Sequence, residues 1–343
     1  MGEAARRKRI TLADVAKEAG VSVQTASHVL SENMTVRLPA ATRERVQEAA
    51  AKVGYRPNRL AQAMKRGKTQ MIAVWMPVDR PILTYLRFLQ AINAKVRVNG
   101  YDLMIVGLDG SAAFGSEGRV PNTWPVDGII SVDAGKAIQV FRSDPSNDHI
   151  PTVILGFEEF KNSDSVTWDV AGAMREATER LIARGAKRIA MVTLDWILRD
   201  YPREMRRRGY SEAMTAAGLE VEFVPVAGES SSAATEAVTQ YLDHHEAPDA
   251  FVSVTDTVAI GTVRAVTGKG IQVPGQCMVW GFGDFPESED YRIPISSIRI
   301  PISNIVDKAW TWLSERIDDP GLASRFELLP MELIERESTF RPS

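Results

Sequence analysis

Thiols, histidines and long apolar stretches are what this sequence has least of. Among its 343 residues there is one cysteine, Cys277. A single thiol cannot close a disulfide within the chain or build a multi-thiolate metal site, so nothing asks for an oxidising compartment. Histidine occurs four times, and His244-His245-Glu246 reads as a solvated helix end rather than a ligand set. No window approaches the roughly 18 consecutive apolar residues of a membrane span. The opening MGEAARRKRI has no apolar stretch after its basic residues, so it does not read as a secretory signal. Enzyme signatures are equally thin. Gly281-Phe-Gly283-Asp284 lacks the third glycine of a dinucleotide fingerprint, and there is neither a P-loop nor a G-x-S-x-G elbow. These absences give a cytoplasmic chain with no membrane partner, and no catalytic residue, metal or cofactor is assigned.

What is present is ordinary in amount and uneven in placement. At 44% apolar and 25% charged residues, the length supports two or three domains with cores of their own. The formal charge is −3, but residues 1–70 hold 14 basic and 6 acidic side chains. That segment is therefore at +8 and the remaining 273 residues are at −11. A basic segment on an acidic body is attracted to polyanions through one end only.

The pattern inside the basic segment is specific. Thr11-Leu-Ala-Asp14 has the form of a capping box opening a helix with Leu12, Val15, Ala16 and Ala19 on one face. Gly20 stops it, and Ser22 supplies a second cap before Val23 to Leu30. A small residue where helices touch, a glycine for the turn and an aliphatic beside it (Ala16, Gly20, Val21) are what a helix-turn-helix needs. A third helix is predicted over Ala41 to Val53. In this geometry the start of the second helix faces base edges, here Val23, Gln24, Thr25, Ser27 and His28. Gln24 is suited to adenine, Val23 to a thymine methyl, and His28 to guanine or phosphate.

TLADVAKEAGVSVQTASHVL, the later GYRPNRLAQAM and the apolar MIAVWMP resemble the LacI family of bacterial transcription regulators, and the resemblance runs from about Thr11 to Phe340. It implies a DNA-reading headpiece (1–56), a hinge segment (57–70) and a two-lobed periplasmic-binding-protein-like core for effector binding and dimerisation (71–343). Carried over, the DNA-contacting set is Thr11, Val23, Gln24, Thr25, Ser27, His28, Tyr55, Asn58, Ala61 and Met64. His28 stands where the family most often has arginine. The hinge Pro57 to Met64 becomes helical on DNA in the family, and Met64 holds the position of its minor-groove leucine, still an apolar wedge.

From Met71 the chain alternates apolar runs with helical stretches, which implies parallel sheets with crossovers. Strands are predicted at Met71 to Met76, Leu103 to Val106, Gly128 to Val132, Thr152 to Leu155, Arg188 to Thr193, Ala250 to Val254 and Met278 to Gly281. Leu108 to Pro125 reads as irregular. The fold class is therefore α/β: a three-helix helix-turn-helix headpiece followed by a core of two parallel sheets. Ligands of such sheets bind at the carboxyl ends of strands. The resemblance places effector contacts at Arg206, Thr255 and Asp256; Trp168, Asp169, Glu229 and Asp284 are other side chains offered for the same site. Arginine suits paired oxygens. The effector class is a sugar, a sugar derivative or another metabolite; because Gly156 and Gly283 stand where sugar-binding members often have aspartates, either it is not a plain sugar or other side chains bind it. The implied function is a repressor acting as a homodimer on a double-stranded palindromic operator; the alternative is a solute-binding protein of the same two-lobed fold.

Overall fold

The structure, a computed structural model, describes residues 10–30, 38–55, 68–78, 83–108, 125–156, 160, 163–200 and 204–340. It divides into two compact units, one holding residues 1–71 with 124–127, the other holding 72–123 and 128–343.

Three helices build the first unit: α1 (Leu12–Ala19), α2 (Val23–Leu30) and α3 (Ala40–Val53). Asp14 accepts from the Thr11 backbone N–H at 2.8 Å and from its hydroxyl at 2.7 Å, so the capping box forms. Gly20 ends α1 in the left-handed region at φ +63, where a side chain would be strained. Ser22 Oγ accepts the Thr25 backbone N–H at 3.0 Å and starts α2. Val15, Ala16, Ala19, Ala26, Val29, Val46, Ala49 and Ala50 form the small core. Because five of the eight are alanines, the helices approach closely and the outer surface is left to polar groups.

The second unit has two main sheets. The first holds β1 (Met71–Pro77), β2 (Asp102–Leu108), β3 (Gly128–Val132), β4 (Thr152–Gly156), β5 (Asp164–Trp168) and β11 (Phe326–Leu329), in the order β11-β5-β4-β3-β1-β2. The second holds β6 (Ile189–Leu194), β7 (Glu222–Val226), β8 (Ala250–Ser253) and β9 (Met278–Trp280), in the order β7-β6-β8-β9, all parallel. A short antiparallel pair, β10 (Ser297–Arg299) with β12 (Glu332–Ile334), forms a small third sheet that bridges to the end of β9. Between them run α4 (Leu83–Val98), α5 (Gly135–Ser143), α6 (Val170–Ala183), α7 (Asp195–Asp200), α8 (Met205–Ala216), α9 (Ser231–His244), α10 (Asp256–Gly268), α11 (Pro286–Glu289) and α12 (Ile302–Asp318). Parallel strands covered on both faces read as continuous apolar runs, and β3, β4 and β6 are buried at every position.

In each sheet the order reverses beside the first strand, between β1 and β3 and between β6 and β8. Open parallel sheets bind ligands outside the strand ends at such a reversal. That directs attention to the residues just after β3 and β8.

Sequence patterning misses five strands: β5, β7, β10, β11 and β12. In β5, Asp164-Ser-Val-Thr-Trp168 contains three polar residues, all buried, so no apolar run marks it. The Asp164 carboxylate is met at 2.9 Å by both Nε and Nη2 of Arg316 and at 3.0 Å by Arg325 Nη2. These partners stand after α12 has packed back on the first sheet. The irregular stretch between Leu108 and Pro125 lies outside the described residues, as does the hinge Pro57 to Met64.

Candidate functional site

At the start of α2, Val23 and Gln24 are exposed, while Thr25, Ser27 and His28 are half-buried. The Thr25 hydroxyl lies 2.8 Å from Ser22 Oγ and so is shared with the helix cap. Thr11 is exposed with its hydroxyl held by Asp14. Tyr55 packs half-buried against the three-helix core, its backbone N–H on Ala50 O at 2.9 Å. Asn58, Ala61 and Met64 lie outside the described residues. Nearby, the Asp127 carboxylate accepts the backbone N–H of Thr69 at 2.6 Å and of Gln70 at 2.8 Å. Gln70 is held there at φ +55, a conformation rare for a side-chain-bearing residue.

In the second unit, groups just past β3 and β8, one strand from each sheet, come near Arg206. Arg206, on the first turn of α8, gives Nε to Glu204 at 2.6 Å and Nη1 to Val254 O, just past β8, at 2.8 Å. Its guanidinium carbon lies 5.3 Å from the Phe282 ring centroid. Glu204 is itself the cap of α8, accepting Arg207 N–H at 2.9 Å, so the same carboxylate starts the helix and aims the arginine. Thr255 caps α10. Burial pushes the Glu229 carboxyl above the usual carboxylate range, against the opposing pull of the Arg206 charge and a hydrogen bond from Thr255.

Asp133, directly after β3, faces this group from the first sheet. It is 8% exposed and sits at φ +45. Burial pushes its carboxyl up to about 7, over the opposing effects of a hydrogen bond from Tyr85 on α4 and the charge of Arg206. Its Oδ1 is buried without a hydrogen-bond partner. Asp133 and Tyr85 were not foreseen; a carboxylate directly after the predicted strand Gly128 to Val132 was the available signal.

Two aspartates singled out from the sequence turn out to be committed elsewhere. Asp256 is fully buried and accepts Ser297 Oγ at 2.6 Å and Phe285 N–H at 2.7 Å. Burial raises its carboxyl to about 6, those two donors notwithstanding. Asp284, at φ +50, is clamped by Arg299 Nε at 2.6 Å and Arg336 Nη2 at 2.7 Å. Although burial raises the Asp284 carboxyl, the two arginines hold it below the usual range. Both side chains fix the Gly281 to Phe285 loop, each with both carboxylate oxygens hydrogen-bonded within the protein. Trp168 is 3% exposed and packs on Phe88, with ring centroids 5.4 Å apart; it belongs to the first lobe's core. Arg87, not foreseen, reaches from α4 to the second lobe, donating Nη1 to Gly283 O at 2.6 Å and to Asp284 O at 3.3 Å.

Among the described residues no group of three or more His, Cys, Asp or Glu is placed to hold a metal ion, and no helix is long and apolar enough to cross a membrane. Residues 11–58 match the family model of bacterial regulatory proteins of the lacI family, and residues 178–339 match a periplasmic binding protein-like domain. The chain is similar to catabolite control protein A of Priestia megaterium, 28% identical over 336 residues that cover 96% of this chain and 99% of that protein. It is also similar to the ribose operon repressor of Escherichia coli strain K12, 27% identical over 340 residues, 96% of this chain and 99% of that one. In structure it is similar to the lac repressor bound to ONPG in the repressed state, with a TM-score of 0.81 and 25% identity over 97% of this chain and 100% of that one.

Proposed function

The chain belongs to the LacI family of bacterial regulatory proteins and is a DNA-binding transcriptional regulator of that type, and from this premise we propose how its parts share the work. It is a cytoplasmic repressor that binds a palindromic operator as a homodimer, since two headpieces reading two half-sites require two-fold symmetry. Residues 1–56 read DNA, 57–70 form the hinge, and 71–343 carry dimerisation and the effector cleft. Val23 and Gln24, exposed at the start of the second helix of a capped helix pair, carry this reading. They stand where a recognition helix meets base edges, on a segment with a surplus of eight positive charges. Ser27 and His28 continue the same helix, Thr11, Thr25 and Tyr55 serve backbone contact and positioning, and Asn58, Ala61 and Met64 serve the hinge.

Arg206, Thr255 and Glu229 form the second lobe's side of the effector site. Asp256 and Asp284 hold its loop, and Trp168 backs the opposite lobe. A small molecule bound between the lobes changes DNA affinity to the extent that it binds one lobe arrangement better than the other. No catalytic step is assigned to these groups; the relatives it resembles are regulators.

The test is fluorescence anisotropy of the full-length protein on a duplex recovered from random sequence by selection. The logarithm of affinity is expected to fall linearly with the logarithm of salt. Gln24→Ala is expected to cost about 1–3 kcal/mol on the selected site and to leave random duplex binding unchanged. Salt-independent binding, or equal loss on both duplexes, overturns the headpiece assignment.

A further inference from the structure

One carboxylate gathers the end of the hinge. Asp127 Oδ1 accepts the Thr69 backbone N–H at 2.6 Å and the Thr69 hydroxyl at 2.9 Å, while Oδ2 accepts the Gln70 N–H at 2.8 Å. The Thr69 hydroxyl in turn accepts the Met71 N–H at 3.2 Å, and the Asp127 N–H donates to Met71 O at 2.9 Å. Starting the sheet needs only the last of these, since β1 and β3 pair from Ile72 opposite Gly128 onward. The other bonds lie outside the ladder and give residues 69–71 a single shape. Its strictness shows at Gln70, which keeps φ +55 where glycine would stand without strain. Hydrogen bonds to a charged oxygen are stronger than neutral ones. Here they converge on the point where the hinge ends and the first sheet begins.

We propose that Asp127 is a positioning residue for operator binding: by clasping Thr69 and Gln70 it fixes the direction in which the hinge leaves β1, and so the spacing at which a dimer holds its two headpieces. This rests on the reading of the chain as a dimeric operator-binding protein. Once one headpiece is bound, the second binds as an intramolecular event, and its gain depends on an effective concentration set by how freely its tether moves. A tether fixed at its root concentrates that headpiece over one half-site position, whereas a swivelling root spreads it over many. Asp127 is itself no phosphate contact, because a carboxylate is repelled there. Charge and positioning therefore predict opposite signs. Removing the carboxylate favours DNA electrostatically, while loosening the hinge weakens operator binding.

The test is fluorescence anisotropy of the full-length protein on the selected operator, on the same operator with base pairs inserted between its half-sites, and on a single half-site. The wild type is expected to bind the selected operator about tenfold or more tighter than the inserted one. Asp127→Ala and Asp127→Asn are each expected to lose about tenfold on the selected operator and to bind the two spacings within about threefold of each other. Half-site binding is expected not to weaken, and the salt slope to stay as in the wild type. Thr69→Val, which removes one of the donors to Asp127, is expected to fall between. An Asp127 variant that keeps the wild-type spacing preference, whatever its melting temperature, has lost only a structural bond, and that result overturns the proposal. Tighter binding at both spacings overturns it as well, because charge is then the whole effect, and so does an equal loss on the single half-site, which puts the damage in the headpiece. Should both Asp127 variants melt below the assay temperature, Thr69→Val decides by the same criteria. A wild type indifferent to spacing removes the dimer reading and this inference with it.

Discussion

Oδ1 of Asp133 lies 3.1 Å from the point where a β-carbon on Gly156 would stand. The glycine at the end of β4 is therefore more than an anchor left out. Its missing side chain is the room into which the carboxylate at the end of β3 projects. At Gly283 the situation differs: φ is +118, and a β-carbon would meet the Phe285 ring at 3.0 Å, so backbone shape alone calls for glycine there.

Asp133→Asn is expected to stabilise the fold at high pH. The folded carboxyl titrates at about 7 against an ordinary value of 3.8, so the native state holds this proton more tightly than the unfolded chain does. The stability linked to it is full below the unfolded value and is lost as pH rises through the folded one. For a group 8% exposed, flanked by Tyr85 and Arg206, the ionised form costs about 4 kcal/mol at pH 8. Urea unfolding should show the variant more stable than wild type at pH 8, with the two converging toward pH 4.

Asp164→Ala should do the opposite and do it throughout. The residue is fully buried between Arg316 and Arg325, and its removal takes away the carboxylate that both guanidinium groups share. Breaking such a cluster costs about 3–5 kcal/mol. In the wild type, burial raises this carboxyl but the arginines hold it below its ordinary value. Its contribution is therefore present above that value and lost as pH falls through the folded one. Denaturant midpoints at pH 7 and pH 3 should differ far less in the variant.

Arg87→Met removes a charged donor from two carbonyls of the other lobe while keeping an apolar stem beside Phe285, whose ring centroid is 5.7 Å from the guanidinium carbon. A loss of about 1–3 kcal/mol is expected. Hydrogen exchange should report it as faster opening in residues 283–285, with the amides of α1 unaffected.

Asp14→Ala takes away the acceptor for the Thr11 backbone N–H and hydroxyl and should destabilise α1 by about 1 kcal/mol. The eight-residue headpiece core has little margin, so exchange protection in α1 and α2 should drop while that in β6 and β8 is unchanged.

Much of this was legible in the residues because it depends on neighbours in the chain. The capping box, Gly20 and the apolar runs of β1, β3 and β4 are local signals, and they mark helices and strands within a residue or two of where these occur. The cleft was read less well for a physical reason. Asp256 was singled out by the family resemblance and Asp284 as another polar side chain for the same site, yet their partners Ser297, Arg299 and Arg336 are distant in the chain. Asp133 looked unremarked for the converse reason. Its importance is set by what fails to reach it.

The route of the chain through the two lobes has a consequence for synthesis. The first sheet takes strands β1 to β5 early and then waits for β11, while α12 arrives only after the whole second sheet. Chains emerge from the ribosome N-terminal end first. For all that time Asp164 has neither Arg316 nor Arg325, and one edge of β5 has no neighbour. The lobe begun first is thus the last to be finished, and a nascent chain stalled before residue 316 exposes a sheet short of its last strand beside a completed one. That interval, rather than the finished protein, is where a chaperone has most to protect.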